Sequence, residues 1–328
     1  MMKTKFLMST CKLPKTLGVR ISAALMIATV CYIAIGFGSS AVAQSSSAGR
    51  VELTSKSLLE KHTTLKDRFA NNAYGRPLYL ESSESGDLVS GNAYAVLNSP
   101  FTDVSTSFRN ANTWCDVMIL HINTKYCKTV AGSSPTILKV HVGKKTPQTL
   151  DDSFALEFIM RQVSASASLL VVQLNAENGP MGTSNYRIEL QAVPLEDNKT
   201  FMHLHYSYEY GLAGKLAMRG YLATAGRGKV GFSSPALTPN PNTANSKPNY
   251  VGGARGAVER NTMRYYLAID AYLQTLALPP AQQVNARLEK WFDATEQYPV
   301  QLRETDKTSY MVMKKNELQR QQANASLP

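Results

Sequence analysis

Histidine, tryptophan and cysteine are scarce in this 328-residue chain, with five, two and four copies. Few side chains are therefore available for metal or thiol chemistry. No G-x-S-x-G, Walker A, H-E-x-x-H or G-x-G-x-x-G pattern occurs, so the motif-bearing hydrolases, nucleotide binders and zinc proteases gain no support. The "GRGK" of residues 226–229 lacks the Ser or Thr and the preceding strand of a phosphate loop. There is no internal repeat and no basic run, which argues against a nucleic-acid partner. Acid is missing from the first twenty residues, which instead carry Lys3, Lys5, Lys12, Lys15 and Arg20.

An apolar run at 21–37 follows that basic stretch, then "GSSAVAQ", in which Ala41 and Ala43 form a small-x-small site. Together these read as a secretory signal peptide cut after Ala43. The alternative is an uncleaved anchor, since a run of about 17 residues stands at the lower edge of a bilayer span. Cys31 follows "ATV" and lacks the flanks of a lipidation signal, and without twin arginines export proceeds unfolded. The expected location is the periplasm. Cleavage lowers the net charge from +11 to +6 and leaves two cysteines, Cys115 and Cys127.

Those two bracket "WCDVMILHINTKYC". A catalytic thiol would need an activating base, and a zinc site would want thiolates two to four residues apart. In an exported chain an even pair is most simply a disulfide, and closing so short a loop is worth about 3 kcal/mol.

The sequence divides into the signal peptide (1–43), a helical lead-in (44–75), a main domain (76–277) and a helical extension (278–328). A helix is expected over 57–71, and a hairpin over "PLYLESS" and "DLVSGNAYAVL". Ser99 and Pro100 read as the N-cap and first residue of a helix, with one or two short helices reaching "WCDVM". Six strands follow between 119 and 211, the first containing His121. A small-residue helix over 212–225, a Pro/Asn/Ser loop over 233–250 and a long helix over 254–276 come next. That helix shows one apolar stripe of Val258, Tyr265, Ile269, Tyr272, Leu273 and Leu276. Pro279 and Pro280 end it, and two helices complete the tail, the first packing through Val284, Leu288, Trp291 and Phe292.

The strands alternate strictly. Phe154, Leu156, Phe158 and Met160 oppose Glu157 and Arg161, and Tyr186, Ile188 and Leu190 oppose Arg187 and Glu189. Met202, Leu204, Tyr206 and Tyr208 oppose His203, His205, Ser207 and Glu209. Period-two alternation describes a sheet with one covered and one wet face. The long helix is the natural cover.

A first long strand, Pro-led helices holding a tryptophan, an antiparallel sheet and then "GAVERNTMRYYLAIDAYL" make a familiar order. Over about 76–277 the chain resembles the START-like (SRPBCC, Bet v 1-like) superfamily. The resemblance implies an α+β helix-grip fold, a twisted antiparallel sheet wrapped on a long C-terminal helix, here with extra N- and C-terminal helices. It places Cys115 and Cys127 so that their bond pins the helix pair to the sheet edge. It also implies a hydrophobic or lipid-like ligand between Phe158, Met160, Ile188, Leu190, Leu204, Tyr206 and Tyr208 on the sheet and Tyr265 and Ile269 on the helix. On residue types alone, the same side chains could fill a solid core.

His203 and His205 share a strand face, as metal ligands can, but among Glu157, Arg161, Arg187 and Glu189 they read as solvated surface; no metal or cofactor is expected. His121 reads as a hydrogen-bonded core residue, with an acid/base role as the alternative. Leu212, Leu216 and Tyr221 lie near Lys215, Arg219, Arg227 and Lys229, which suits either a transient membrane-surface contact through 212–229 or an ordinary packed helix. Three functional readings follow, in order: an exported binding protein for a hydrophobic ligand, an envelope interaction protein with a filled core, and an enzyme on a similar ligand. No catalytic residue is assigned.

Overall fold

The computed structural model describes residues 54–224, 226–234 and 249–325, all within the unit Val51–Pro328. The expected signal peptide, the segment before residue 54 and most of the 233–250 loop lie outside the described residues.

Two short helices, α1 (Ser55–Thr64) and α2 (Lys66–Ala70), replace the single helix expected over 57–71, with a break at Leu65. The hairpin forms as β1 (Leu78–Ser85) and β2 (Leu88–Leu97), turning at Gly86, whose φ of 61° suits a residue without Cβ. Helices α3 (Phe101–Phe108) and α4 (Ala111–Met118) follow. Pro100 is the residue at the α3 cap and no side chain caps that end. Ser99 instead offers its carbonyl to Thr200 Oγ1 at 2.7 Å. Six strands come next: β3 (Thr124–Thr129), β4 (Thr136–Val142), β5 (Phe154–Ala165), β6 (Leu170–Asn178), β7 (Thr183–Pro194) and β8 (Thr200–Tyr210). After them come α5 (Leu212–Ala223), α6 (Gly253–Leu273), α7 (Pro280–Glu296), α8 (Pro299–Leu302) and α9 (Lys307–Ala325). None of the described helices is long and apolar enough to cross a membrane.

All eight strands form one antiparallel sheet in the order β1-β2-β8-β7-β6-β5-β4-β3, so the N-terminal hairpin pairs with the last strand. The register sets Gly91, Tyr206 and Ile188 side by side, and likewise Ala93, Leu204 and Leu190, on the face covered by α6. Gly91 permits that cover, because a Cβ there would overlap the Thr262 hydroxyl of α6. This is the helix-grip α+β arrangement expected from the sequence.

Two expectations about exposure need correction. The far face of the sheet is wet only in part, because α1 and α2 set Leu58, Leu65 and Phe69 against Val193 and Phe201. Helix α6 is buried on nearly all sides, not along one stripe: Met263, Arg264, Tyr266 and Leu267 are buried as well. The cause is α7, which packs on its far side through Leu288, Trp291 and Phe292, joining the main core, while Val284 stays exposed. Phe154, at the start of β5, is also exposed rather than inward.

Cys115 on α4 and Cys127 on the edge strand β3 are disulfide-bonded, with Cα atoms 5.1 Å apart. The bond ties the α3–α4 pair to the sheet edge, as expected. Helix α9 covers the same edge: Gln321 Oε1 accepts the Cys127 N–H at 2.9 Å, so β3 does not present an open ladder.

Candidate functional site

The residues expected to line a ligand site converge between the sheet and α6. Phe158, Met160, Ile188, Leu190, Leu204, Tyr206, Tyr208 and Ile269 are buried there, and Tyr265 is half-buried. Strand parity explains the convergence, since alternate residues of β5, β7 and β8 must face the helix. Phenol rings form a row through this interior. Tyr265 stands 5.5 Å from Tyr206, Tyr206 stands 5.8 Å from Tyr208, and Tyr208 stands 6.3 Å from Tyr210, at the end of β8 that leads into α5. Tyr186 stacks on Tyr208 at 5.3 Å and bonds Thr183 Oγ1 at 2.8 Å. Burial pushes the hydroxyls of Tyr206, Tyr208 and Tyr265 well above the usual phenol range, so all three are protonated at neutral pH.

His121 belongs to the inner end of this row. It lies in the turn between α4 and β3 and not within a strand. Its ring is 5.2 Å from Tyr265 and 6.5 Å from Trp291 of α7. Nδ1 accepts the Asn123 N–H at 3.2 Å, whereas Nε2 is buried without a partner among the described residues. Burial first, and then the charges of Arg264, Lys314 and Lys145, push its pKa well down, so the ring is neutral. Asn261, one turn before Tyr265 on α6, borders both His121 and Tyr206. A neutral imidazole, an amide and two phenols thus meet in an apolar interior. The sequence offered no view of this cluster, because Asn261 and Tyr265 come together with His121 only through the α4–β3 turn.

The opposite end of the row holds a charge. Arg260 of α6 is 2% exposed and donates from Nη1 to the Val230 carbonyl at 3.1 Å. Its charge acts on Tyr208. Other buried charges are closed networks. Lys125 and Lys314, both fully buried, share Glu317 at 3.1 and 2.8 Å, and Lys314 also donates to the carbonyls of His121 and Thr124 at 2.7 Å each. Burial lowers the Lys314 pKa to about 8 against the pull of Glu317. Arg264 meets Glu304 at 2.7 Å and Arg287 meets Asp116 at 2.9 Å. Glu259 is closed too, accepting from the Ser82 hydroxyl, the Ser233 hydroxyl and the backbone of Phe232 and Ser233.

The far face of the sheet carries a polar cleft of about 1220 Å³ whose lining includes Lys139, Arg161, Gln173, Arg187 and His205. Both His203 and His205 bond Asn92 Oδ1 at 2.9 Å, and His203 stacks on Tyr94 at 4.3 Å. Burial lowers the pKa of His203 to about 3. Glu189 beside them accepts from Gln173, Arg187 and Gln191. These groups satisfy one another, and among the described residues no three ligating side chains gather as a metal site.

No family model matches the chain, and no curated protein does. Solved structures are similar to part of it. A norcoclaurine synthase mutant from Thalictrum flavum is 15% identical over 44% of this chain and 89% of its own, with a TM-score of 0.32. Ara h 8.0201 is 9% identical over 57% and 98%, with a TM-score of 0.32. The human StarD13 lipid transfer and protein localization domain is 9% identical over 50% and 88%, with a TM-score of 0.31. At such scores the likeness adds no weight; the helix-grip assignment rests on the strand order and the helix that the sheet encloses.

Proposed function

We propose that this chain is an exported, periplasmic binding protein for a hydrophobic or lipid-like molecule held between the sheet and α6. One observation carries the reading. The interior is apolar, yet His121 Nε2 is buried there with no hydrogen-bond partner among the described residues. Buried polar groups are paired in nearly all folded proteins, and an unpaired one costs about 1–3 kcal/mol. A bound molecule with a polar atom at that end of the row would pair it.

Native mass spectrometry of the protein purified from the periplasm, followed by organic extraction, tests the reading. A stoichiometric adduct that extracts into solvent is expected. A clean unliganded mass that takes up nothing from a lipid extract would favour the filled-core envelope protein. The meeting of His121, Asn261, Tyr206 and Tyr265 favours one second reading, acid/base catalysis on the same ligand.

Helix α5 is the proposed place of membrane contact. Leu212 and Leu216, one turn apart, are 77% and 59% exposed, and Met181 in the adjoining turn is 65% exposed. Arg219 and Arg227 are exposed nearby. Gly214 seats α5 closely on Tyr210 and Gly182, at the α5 end of the phenol row. Flotation with vesicles of phosphatidylethanolamine and phosphatidylglycerol should recover the parent chain, and a Leu212→Ser, Leu216→Ser variant should stay in the aqueous fraction. Equal recovery of both would remove α5 as the contact.

A further inference from the structure

Five lysine or arginine side chains are buried among the described residues: Lys125, Arg260, Arg264, Arg287 and Lys314. Four of them meet a carboxylate within 4.0 Å, on Glu317, Glu304 or Asp116. Among the described residues Arg260 meets none, and one backbone carbonyl is its single hydrogen-bond partner there. Glu259, next to it in the chain, and Glu84, whose charge also acts on Tyr208, are committed elsewhere. Glu259 is filled by Ser82, Phe232 and Ser233, and Glu84 is exposed and takes the Tyr210 hydroxyl. A buried guanidinium offers five N–H donors in a planar fork, and leaving it without a counter-ion is costly. A fold that pairs its other four buried cations has not run short of acids.

We propose that Arg260 is the anion-binding residue of this site, and that the ligand is an apolar molecule bearing a carboxylate or phosphate. This rests on the carrier reading above and names its ligand class. Arg260 holds the anionic group in a charge-assisted pair, and the Tyr208 hydroxyl donates to the same group. The apolar body lies along the phenol row toward Tyr206, Tyr265 and His121. The polarity of the site follows: the charged end of the ligand sits at the α5 end of the row, and the far end meets neutral groups. An ammonium group is excluded by Arg260, and an alcohol leaves the guanidinium uncompensated.

The test is competition against a fluorescent apolar probe, N-phenyl-1-naphthylamine, with the intact protein. Dodecanoate, dodecyl phosphate, dodecanol, dodecylamine and inorganic phosphate are the competitors. Dodecanoate or dodecyl phosphate should compete at least about tenfold more tightly than dodecanol and dodecylamine. In Arg260→Met that gap should close. Arg260→Lys, which keeps the charge without the fork, should retain part of it. A variant-independent readout is the melting temperature of the parent, which dodecanoate should raise more than dodecanol does. If dodecanol competes as well as dodecanoate in the parent, the anion assignment is wrong while the carrier reading stands. If inorganic phosphate alone protects the parent as fully as dodecyl phosphate, the site takes a free anion and the amphipathic ligand class is overturned. If neither the probe nor any alkyl competitor binds, the carrier reading falls and takes this assignment with it.

Discussion

Two buried polar regions of the chain are built in opposite ways. Toward the C-terminal helices, Lys125, Lys314 and Glu317 form a closed triad whose donors reach carboxylate, backbone carbonyls and the Met313 sulfur. Along the grip, Arg260 meets one backbone carbonyl and no carboxylate, and His121 Nε2 has no partner among the described residues. The difference between them is the counter-ion: the two lysines share one and hold α9 over the sheet edge, whereas Arg260 has none among the described residues. On the reading proposed above, a ligand supplies it.

The contrast is broken most sharply at Glu317. Its loss in Glu317→Ala strands two buried lysines, and a destabilisation of roughly 3–5 kcal/mol is expected in urea unfolding. A loss under about 1 kcal/mol would show that the triad is not closed in solution. The double change Cys115→Ser, Cys127→Ser frees the α3–α4 pair from β3. It should cost about 3 kcal/mol, read as a lower melting temperature under oxidising conditions. An unchanged melting temperature would mean that the bond contributes nothing.

Acid sharpens the comparison at intermediate size. His121 and His203 are held neutral in the folded chain, with pKa values well below the ordinary 6.5. Below pH 6.5 the unfolded chain therefore takes up protons that the folded chain refuses, so stability is full above that pH and declines beneath it. Between pH 7 and pH 5 His203 should remove about 2 kcal/mol, and His121 acts in the same direction. His203→Gln should make the slope of unfolding free energy against pH shallower; an unaltered slope would show that His203 titrates normally. The smallest change concerns Arg260. Arg260→Met removes an uncompensated charge in favour of an apolar side chain, so the unliganded protein should gain about 1 kcal/mol. A clear loss of stability would mean that Arg260 has a structural counter-ion.

Much of the scaffold was legible because it depends on local periodicity. Alternation in "FALEFIM", "YRIEL" and "MHLHYSYE" names the residues that face α6, and each run became a strand of the expected parity. The disulfide followed from the small cysteine count and the expected export. Arg260 was not legible. In "GAVERNTMRYYLAIDAYL", Glu259, Arg260 and Arg264 alternate with apolar residues, and periodicity assigns such charges to water. They are buried because α7 and the segment around Val230 and Ser233 come back onto that side of α6. A clue was present in the tail: Leu288, Trp291 and Phe292 needed a surface to cover, and the second side of α6 was the one free to take them. His121 escaped for a similar reason, since a turn between α4 and β3 looks like the start of a strand when only its apolar neighbours are read.

The most direct test of the account is a crystal structure of the protein with 11-bromoundecanoate, located through the anomalous scattering of bromine. The account predicts the carboxylate within hydrogen-bond distance of the Arg260 guanidinium, and the bromine between the sheet and α6 near Tyr206 and Tyr265. Bromine over Arg161 and Arg187 in the far-face cleft would place the site on the other side of the sheet and contradict it.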